Sequence, residues 1–304
     1  MSSQAPPSPE TIAQMARQRY VPFDYLYGAH PAAVSLFLPP SRLVLGVLAR
    51  GLPEPAPLEL APVEYMAWLD EEGRFEYLRP AGGHQGRLAW SFPDDQRALC
   101  TVRLAPFELR FCFCPLPGGE GVLIEGEVEN QGPRAARSLY FNPCLRYQNL
   151  APFRATGHGN ISLAGAGCEA SLADLAREQG GGPRLLALAA GRDPQAPHLK
   201  PLVDSLMASR MMSLVQDRRV RGRSILCRDR ESGAGLCLGW DRVLGYFSRS
   251  GPQAEENGCL HVIPLLEDLG PGQARATRGA LLWGNDSGQG LAAKCESLLG
   301  PETG

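Results

Sequence analysis

From position 64 to position 128 the chain breaks into short apolar runs divided by turn-forming residues, and that punctuation constrains the fold more than any other feature. Residues 64–69 and 74–78 flank Asp70-Glu71-Glu72-Gly73. Residues 88–92, 99–104, 107–114 and 122–128 follow, with Asp94-Asp95 and Pro117-Gly118-Gly119 among the intervening turns. Runs this short, bounded by Gly, Pro and Asp, are strand signals, and their close spacing predicts a meandering antiparallel sheet. Within 122–130, Val122, Ile124 and Val128 share one parity while Glu125, Glu127 and Glu129 take the other, the period of a strand with one wet face. Asn130-Gln131-Gly132-Pro133 accepts turn geometry and 138–141 restores strand propensity, so a hairpin is expected across it. Its second strand runs into Asn142-Pro143-Cys144-Leu145-Arg146-Tyr147-Gln148-Asn149, where Pro143 lacks an N–H and ends or bends the ladder.

The flanks extend the same reading. Ser8 and Pro9 open a short amphipathic helix through Ile12, Met15, Ala16 and Arg19, and 33–38 and 42–48 read as short strands. Ser171 caps a short helix, whereas the Gly-, Pro- and Ala-rich stretch 180–200 reads as a long excursion from the sheets. A hairpin is expected for 224–228 and 235–240 around the turn 229–233, with further strands at 243–247, 259–264 and 276–283. Leu291, Cys295 and Leu298 mark a closing helix. The basic run at Arg218, Arg219, Arg221 and Arg223 fits the wet edge of the strand that starts at Ser224. The expected fold is therefore all-β, a large antiparallel β-sandwich with a few short peripheral helices. Residues 1–62 would supply a leading helix and strands packed on a main sandwich of 63–304, the two forming one structural unit.

Composition enters where it excludes partners. A chain of 304 residues with 44% hydrophobic content can bury an ordinary core, and a net charge of −2 disfavours nucleic acid and anionic membranes, which need a concentrated basic face. The first residues lack a basic segment followed by an apolar one, and no later apolar run is long enough to span a bilayer, so a cytoplasmic location is expected. Nine cysteines without a CxxC pair predict buried thiols and disfavour both a disulfide framework and a zinc knuckle. Cys112 and Cys114, two apart in FCFC, would share one sheet face. No cofactor is implied.

Histidines supply the chemistry-bearing positions. His84 lies in GGHQG, His158 lies between Gly157 and Gly159, and His261 lies in a short apolar run, so an imidazole suited to proton transfer near neutral pH reaches a loop or a strand end. Trp240 and Asp241 close another strand, and Asn142, Arg146, Tyr147 and Gln148 end the central one.

In order and spacing, roughly from Arg79 to Trp283, these features resemble the galactose mutarotase-like family, whose antiparallel sheets stack as a β-supersandwich. That family carries a Gly-and-His turn before an Arg and Trp strand, then a Val-x-Asn-x-Gly hairpin ending in His-Pro-Tyr-Phe. Here GGHQGRLAW, EVENQG and FNPCLRY stand in those places, followed by GCLHVIP and LGPGQARATRGALLWG. The departures fall on the reacting groups: Asn142-Pro143 replaces the family's His-Pro pair, and His261 stands where its catalytic Glu stands. Mutarotation needs a base for the anomeric hydroxyl and an acid for the ring oxygen, and a neutral amide cannot serve as that acid.

The resemblance implies a sugar or glycan ligand. It implies catalysis by His261 and His84, and binding by Asn142, Arg146, Tyr147, Gln148, His158, Trp240 and Asp241, residues that combine fixed donors with aromatic platforms. A non-catalytic sugar-binding or interaction sandwich is the alternative. A third expectation treats His84, His158, His261 and Asp241 as metal ligands.

Overall fold

The computed structural model describes residues 34–37, 45–49, 57–78, 88–94, 97–147, 153, 160–165, 168–177, 184–207, 212–216, 220–229, 231–249, 258–285 and 287–301. The first half of the chain supplies β1 (Val34–Phe37), β2 (Leu45–Ala49), β3 (Pro57–Leu69), β4 (Phe75–Leu78), β5 (Leu88–Asp94), β6 (Arg97–Leu104), β7 (Phe107–Pro115), β8 (Gly121–Asn130) and β9 (Ala136–Arg146). The second half supplies β10 (Ile161–Gly165), β11 (Cys168–Ser171), α1 (Leu172–Arg177), β12 (Arg184–Leu188), α2 (Lys200–Met207), β13 (Met212–Gln216), β14 (Ser224–Arg228), β15 (Gly235–Trp240), β16 (Val243–Arg249), β17 (Cys259–Leu269), β18 (Ala274–Gly284) and α3 (Gly288–Leu299). The all-β sandwich with short helices is what the punctuation predicts.

Two nine-stranded sheets result. The first runs β1-β2-β3-β9-β17-β16-β12-β13 with β4 also on β3, and the second runs β11-β10-β14-β15-β18-β8-β7-β6-β5. Among the described strands every pairing is antiparallel except β12 with β13. Between the sheets, Trp68 meets Phe107 at 4.9 Å, and Phe141 meets both Phe111 at 5.7 Å and Trp240 at 5.5 Å. Such tilted and edge-on rings add about 0.5–1.5 kcal/mol per pair beyond the area they bury. Gly279 lets Trp240 lie flat on β18, since a Cβ there would come within 2.7 Å of the indole.

Three sequence expectations change. The strands at 122–130 and 138–141 exist as β8 and β9 but do not pair: β8 lies between β7 and β18, whereas β9 lies between β3 and β17 in the other sheet. The cause is Asn130, fully buried, whose amide donates to the Arg134 and Leu269 carbonyls and so turns the chain from one sheet to the other. The excursion expected at 180–200 contains β12, an interior strand of the first sheet, because Leu185 and Ala187 face the core while Leu186 and Leu188 face a second apolar layer. The strand after the arginine run is interior too, β14 lying between β10 and β15, and Arg223 turns inward to donate its Nε to Glu296 at 2.7 Å.

Other expectations stand. Asp70 accepts from the Glu72 and Arg74 amides and pairs with the Arg74 guanidinium, and Gly73 takes φ 79°, so the β3–β4 turn forms where predicted. The β14–β15 hairpin and the closing helix are present, with Ser287 accepting from the Gly290 amide at the start of α3. The N-terminal helix expected from Ser8 lies outside the described residues. Among those residues, no helix is long and apolar enough to cross a membrane.

Candidate functional site

The outward side of the first sheet is divided between an apolar and a polar part. Tyr65, Ala67, Tyr140, Leu186, Leu188, Leu244, Ile263 and Leu265 pack under Leu199 and Val203 of the α2 segment. Beyond them lies the polar part, built by three strands. Asn142, Cys144 and Arg146 alternate along β9, Cys259 and His261 alternate along β17, and Glu59 and Ala61 alternate along β3, so the period of two sends each set to one face. The register pairs Arg146 with Glu59 on one side and with Cys259 on the other. Leu145 pairs with Leu260, which sets Cys144 opposite His261.

Two irregularities tune this face. Between Ala61 and Tyr65 the β3–β9 register slips, and the bulge carries Glu64 to the outward side beside Asn142. On the other flank, β9 and β17 keep one register on both sides of Pro143, yet no residue pair bridges them from 141 to 144. A proline has no N–H to offer there, so the expected disturbance of the ladder occurs while the strand itself continues to Arg146.

His261 is the centre of the polar part and is 1% exposed. Its Nδ1 lies 3.2 Å from Asn142 Oδ1 and 3.8 Å from Glu64 Oε2, its Nε2 lies 3.0 Å from Cys259 Sγ, and its ring meets Phe247 edge-on at 4.8 Å. Asn142 Nδ2 donates to Glu64 Oε2 at 3.4 Å, so Asn142 Oδ1 is left to accept from His261 Nδ1–H. That fixes the tautomer with the Nε2 lone pair toward sulfur. Burial alone would lower the imidazole pKa, but Cys144, the Glu64 carboxylate and the Pro143 main chain outweigh it and raise it. The Cys144 thiol is pushed well up by its contact with Cys259 and by burial. Toward solvent, Arg146 Nη1 lies 3.6 Å from Glu59 Oε2, and Tyr77, 42% exposed, stacks 5.4 Å from the Tyr65 ring.

Among the residues proposed from sequence, Asn142, Arg146 and His261 therefore meet on one face. Tyr147 points inward and packs on Phe153. Trp240 also lies between the sheets, its indole N–H donating to Thr277 Oγ1 at 2.6 Å, and Thr277 donates on to Asp241 at 3.0 Å. Asp241 further accepts from the Arg242 and Arg278 amides, and among the described residues it forms no metal-ligating group with His261. His84, Gln148 and His158 lie outside the described residues. Sequence reading missed Glu59, Glu64, Cys144 and Cys259. The two cysteines stand two positions from Asn142 and from His261, a spacing that becomes informative only once β9 and β17 are known to be neighbours. A separate cavity of about 640 Å³, lined by Arg192, Arg221, Arg223 and Glu296, holds none of the proposed residues.

No protein-family model matches the sequence, and no curated protein matches it. By structure the chain is similar to a galactose mutarotase related enzyme from Lactobacillus acidophilus at 7% identity, covering 82% of this chain and 96% of that one with a TM-score of 0.42. It is likewise similar to a galactose mutarotase-like protein from Lactobacillus casei, at 9% identity, 82% and 99% coverage and a TM-score of 0.43. A polysaccharide lyase is also similar, at 10% identity and a TM-score of 0.46, over 88% of this chain but 34% of that one.

Proposed function

We propose that the outward face of the first sheet binds a sugar or glycan along the strip Glu59, Glu64, Asn142 and Arg146, with Tyr77 as an aromatic platform at its margin. The observation that carries this reading is the combination of half-exposed charged groups with a fixed amide on rigid strands. The Arg146 and Glu64 side chains are 45% and 34% exposed, and Asn142 is held between Glu64 and the imidazole. Carboxylate, guanidinium and amide groups held by a sheet can take vicinal hydroxyls as paired donors and acceptors, and a tyrosine face accepts the apolar side of a sugar ring.

Calorimetry against a panel of neutral and acidic saccharides tests it. We expect at least one ligand whose affinity falls about tenfold or more in Arg146→Ala, a loss of about 1.4 kcal/mol, with the circular dichroism spectrum unchanged. A panel with no binder, or a binder indifferent to Arg146 and Glu64, rejects the reading.

Acid–base turnover by His261, or by His84, is the weaker alternative, because both ring nitrogens of His261 already face protein groups and the ring is buried. Anomer exchange followed by NMR separates the two. Binding without exchange is the expected result, and exchange lost in His261→Ala would favour catalysis.

A further inference from the structure

We infer that Cys144, Cys259 and His261 form a thiolate–imidazole site for a borderline-soft d10 cation, zinc in the first instance. Among the described residues their ligand atoms lie within 4.8 Å of one another. The inference goes beyond the carbohydrate reading and does not rest on it, since it concerns the floor of the strip and not its solvent-facing groups.

Three features separate this trio from cysteines used as core filler. First, a filler thiol has no need of an imidazole, and burying a polar ring without need is costly. Here His261 is 1% exposed and sends Nε2 to sulfur. Second, the other ring nitrogen is already engaged: Nδ1 faces Asn142 Oδ1, with the Glu64 carboxylate behind. A metal-binding histidine is held in the same way, its second N–H given to an oxygen that fixes the tautomer and raises the basicity of the free nitrogen. Third, the ligands come from interior strands of one sheet, β9 and β17, so their spacing is set by backbone pairing and not by a loop.

The distances suit a small tetrahedral ion after a slight opening. Sulfur and nitrogen bound to one zinc stand about 3.5 Å apart. His261 Nε2 and Cys259 Sγ stand 3.0 Å apart, so the ring and the thiol need to separate by only about half an ångström. Two thiolates and a neutral imidazole balance a divalent charge, and the two thiol protons leave to solvent when the ion enters. Soft sulfur donors with one imidazole select zinc or cuprous ion over magnesium or calcium. Cys259, 9% exposed beside Arg146, lies on the side from which an ion would enter.

The second sheet supplies an internal control. Cys112 and Cys114 lie on its outward face, half buried, with their sulfurs 3.4 Å apart, and among the described residues no histidine joins them in a ligand group. A dithiol alone can take up thiophilic metals, so the test must distinguish it from the trio.

The full chain, purified under reducing conditions without chelator, is assayed for metals by mass spectrometry. It is then stripped and titrated with Co2+ alone. We expect about one zinc per chain as isolated, and, with cobalt, a thiolate-to-metal charge-transfer band with intense visible bands of a tetrahedral ion. Both signals should disappear in Cys144→Ser/Cys259→Ser and persist in Cys112→Ser/Cys114→Ser. Because a core substitution can prevent folding, the wild-type chain is also alkylated with and without zinc and its peptides mapped. Protection of Cys144 and Cys259 supports the site. Either of two results overturns it: no metal and no thiolate band in the wild type, or a band that follows Cys112 and Cys114 instead.

Discussion

Two largely buried polar assemblies, one between the sheets on β15 and β18 of the second and one on the outward side of the first, differ in what each leaves over. In the inner one, Trp240 donates to Thr277, Thr277 donates to Asp241, and the Asp241 carboxylate is filled by the Arg242 and Arg278 amides. That chain is closed, and it lies against the aromatic core. In the outer one, Asn142 and Glu64 satisfy Nδ1 of His261, while Nε2 faces thiols, which are weak hydrogen-bond partners. A closed network gives rigidity, whereas the outer one ends in a ring nitrogen beside sulfur. The inner set closes on itself, whereas the outer set ends on sulfur.

The most demanding test of this difference is Thr277→Val. It keeps the shape but leaves the Trp240 N–H buried without an acceptor, and the expected cost is about 3 kcal/mol by urea denaturation. A cost under about 1 kcal/mol would mean that the inner chain is not the closed structural element described. Zinc provides the next contrast. At a hundredfold excess over its dissociation constant, an ion that binds only the folded chain adds about 2.7 kcal/mol. Wild type and Thr277→Val should gain that increment alike, and Cys144→Ser/Cys259→Ser should not. Asn142→Ala should cost less, about 1–2 kcal/mol, because Glu64 remains near the His261 Nδ1–H that loses its acceptor. It should also weaken zinc binding by roughly 10–100-fold, the usual effect of losing an outer-shell partner. Unchanged zinc affinity would show that Asn142 does not orient the ring.

How far sequence could anticipate this contrast depends on which side of a strand each residue faces. Short punctuated runs predict the sandwich, because period and turn chemistry are local properties. Asn142, Arg146 and His261 are proposed from residue type and order, and the pairing of β9 with β17 places them on one face. Trp240 and Tyr147 show the limit: both sit at strand ends, as expected, but their parity sends them inward, and parity cannot be assigned before register is known. Cys144 and Cys259 show the same limit from the other direction. They are 115 residues apart in sequence, and only the pairing of β9 with β17 makes them neighbours. Glu64 depends on a bulge, which no alternation pattern predicts. The hairpin expected at Asn130 fails for a related reason: a turn signal tells that the chain reverses, not whether it returns to the same sheet.

The smallest effect belongs to a polar assembly with ready access to water, and it calibrates the other two. On the outward face of the second sheet, Glu108 bridges Arg103 and Arg110 at 2.9 Å each, and Arg110 reaches Glu127 and Glu129 at 2.7 Å. Hydrogen bonds from Arg103 and Arg110 lower the Glu108 pKa despite some loss of hydration. Because the folded value lies below the unfolded one, the stabilisation is fully present above the unfolded glutamate pKa of about 4.3 and is lost as pH falls through the lowered folded value. Glu108→Gln should therefore remove part of the acid-side slope of stability against pH. At neutral pH it should cost no more than about 1 kcal/mol, diminishing further in high salt, because water and ions compete for these arginines. A neutral-pH cost equal to that of Thr277→Val would mean that exposure does not separate structural from dispensable polar groups here, and the contrast drawn between the two buried assemblies would lose its baseline.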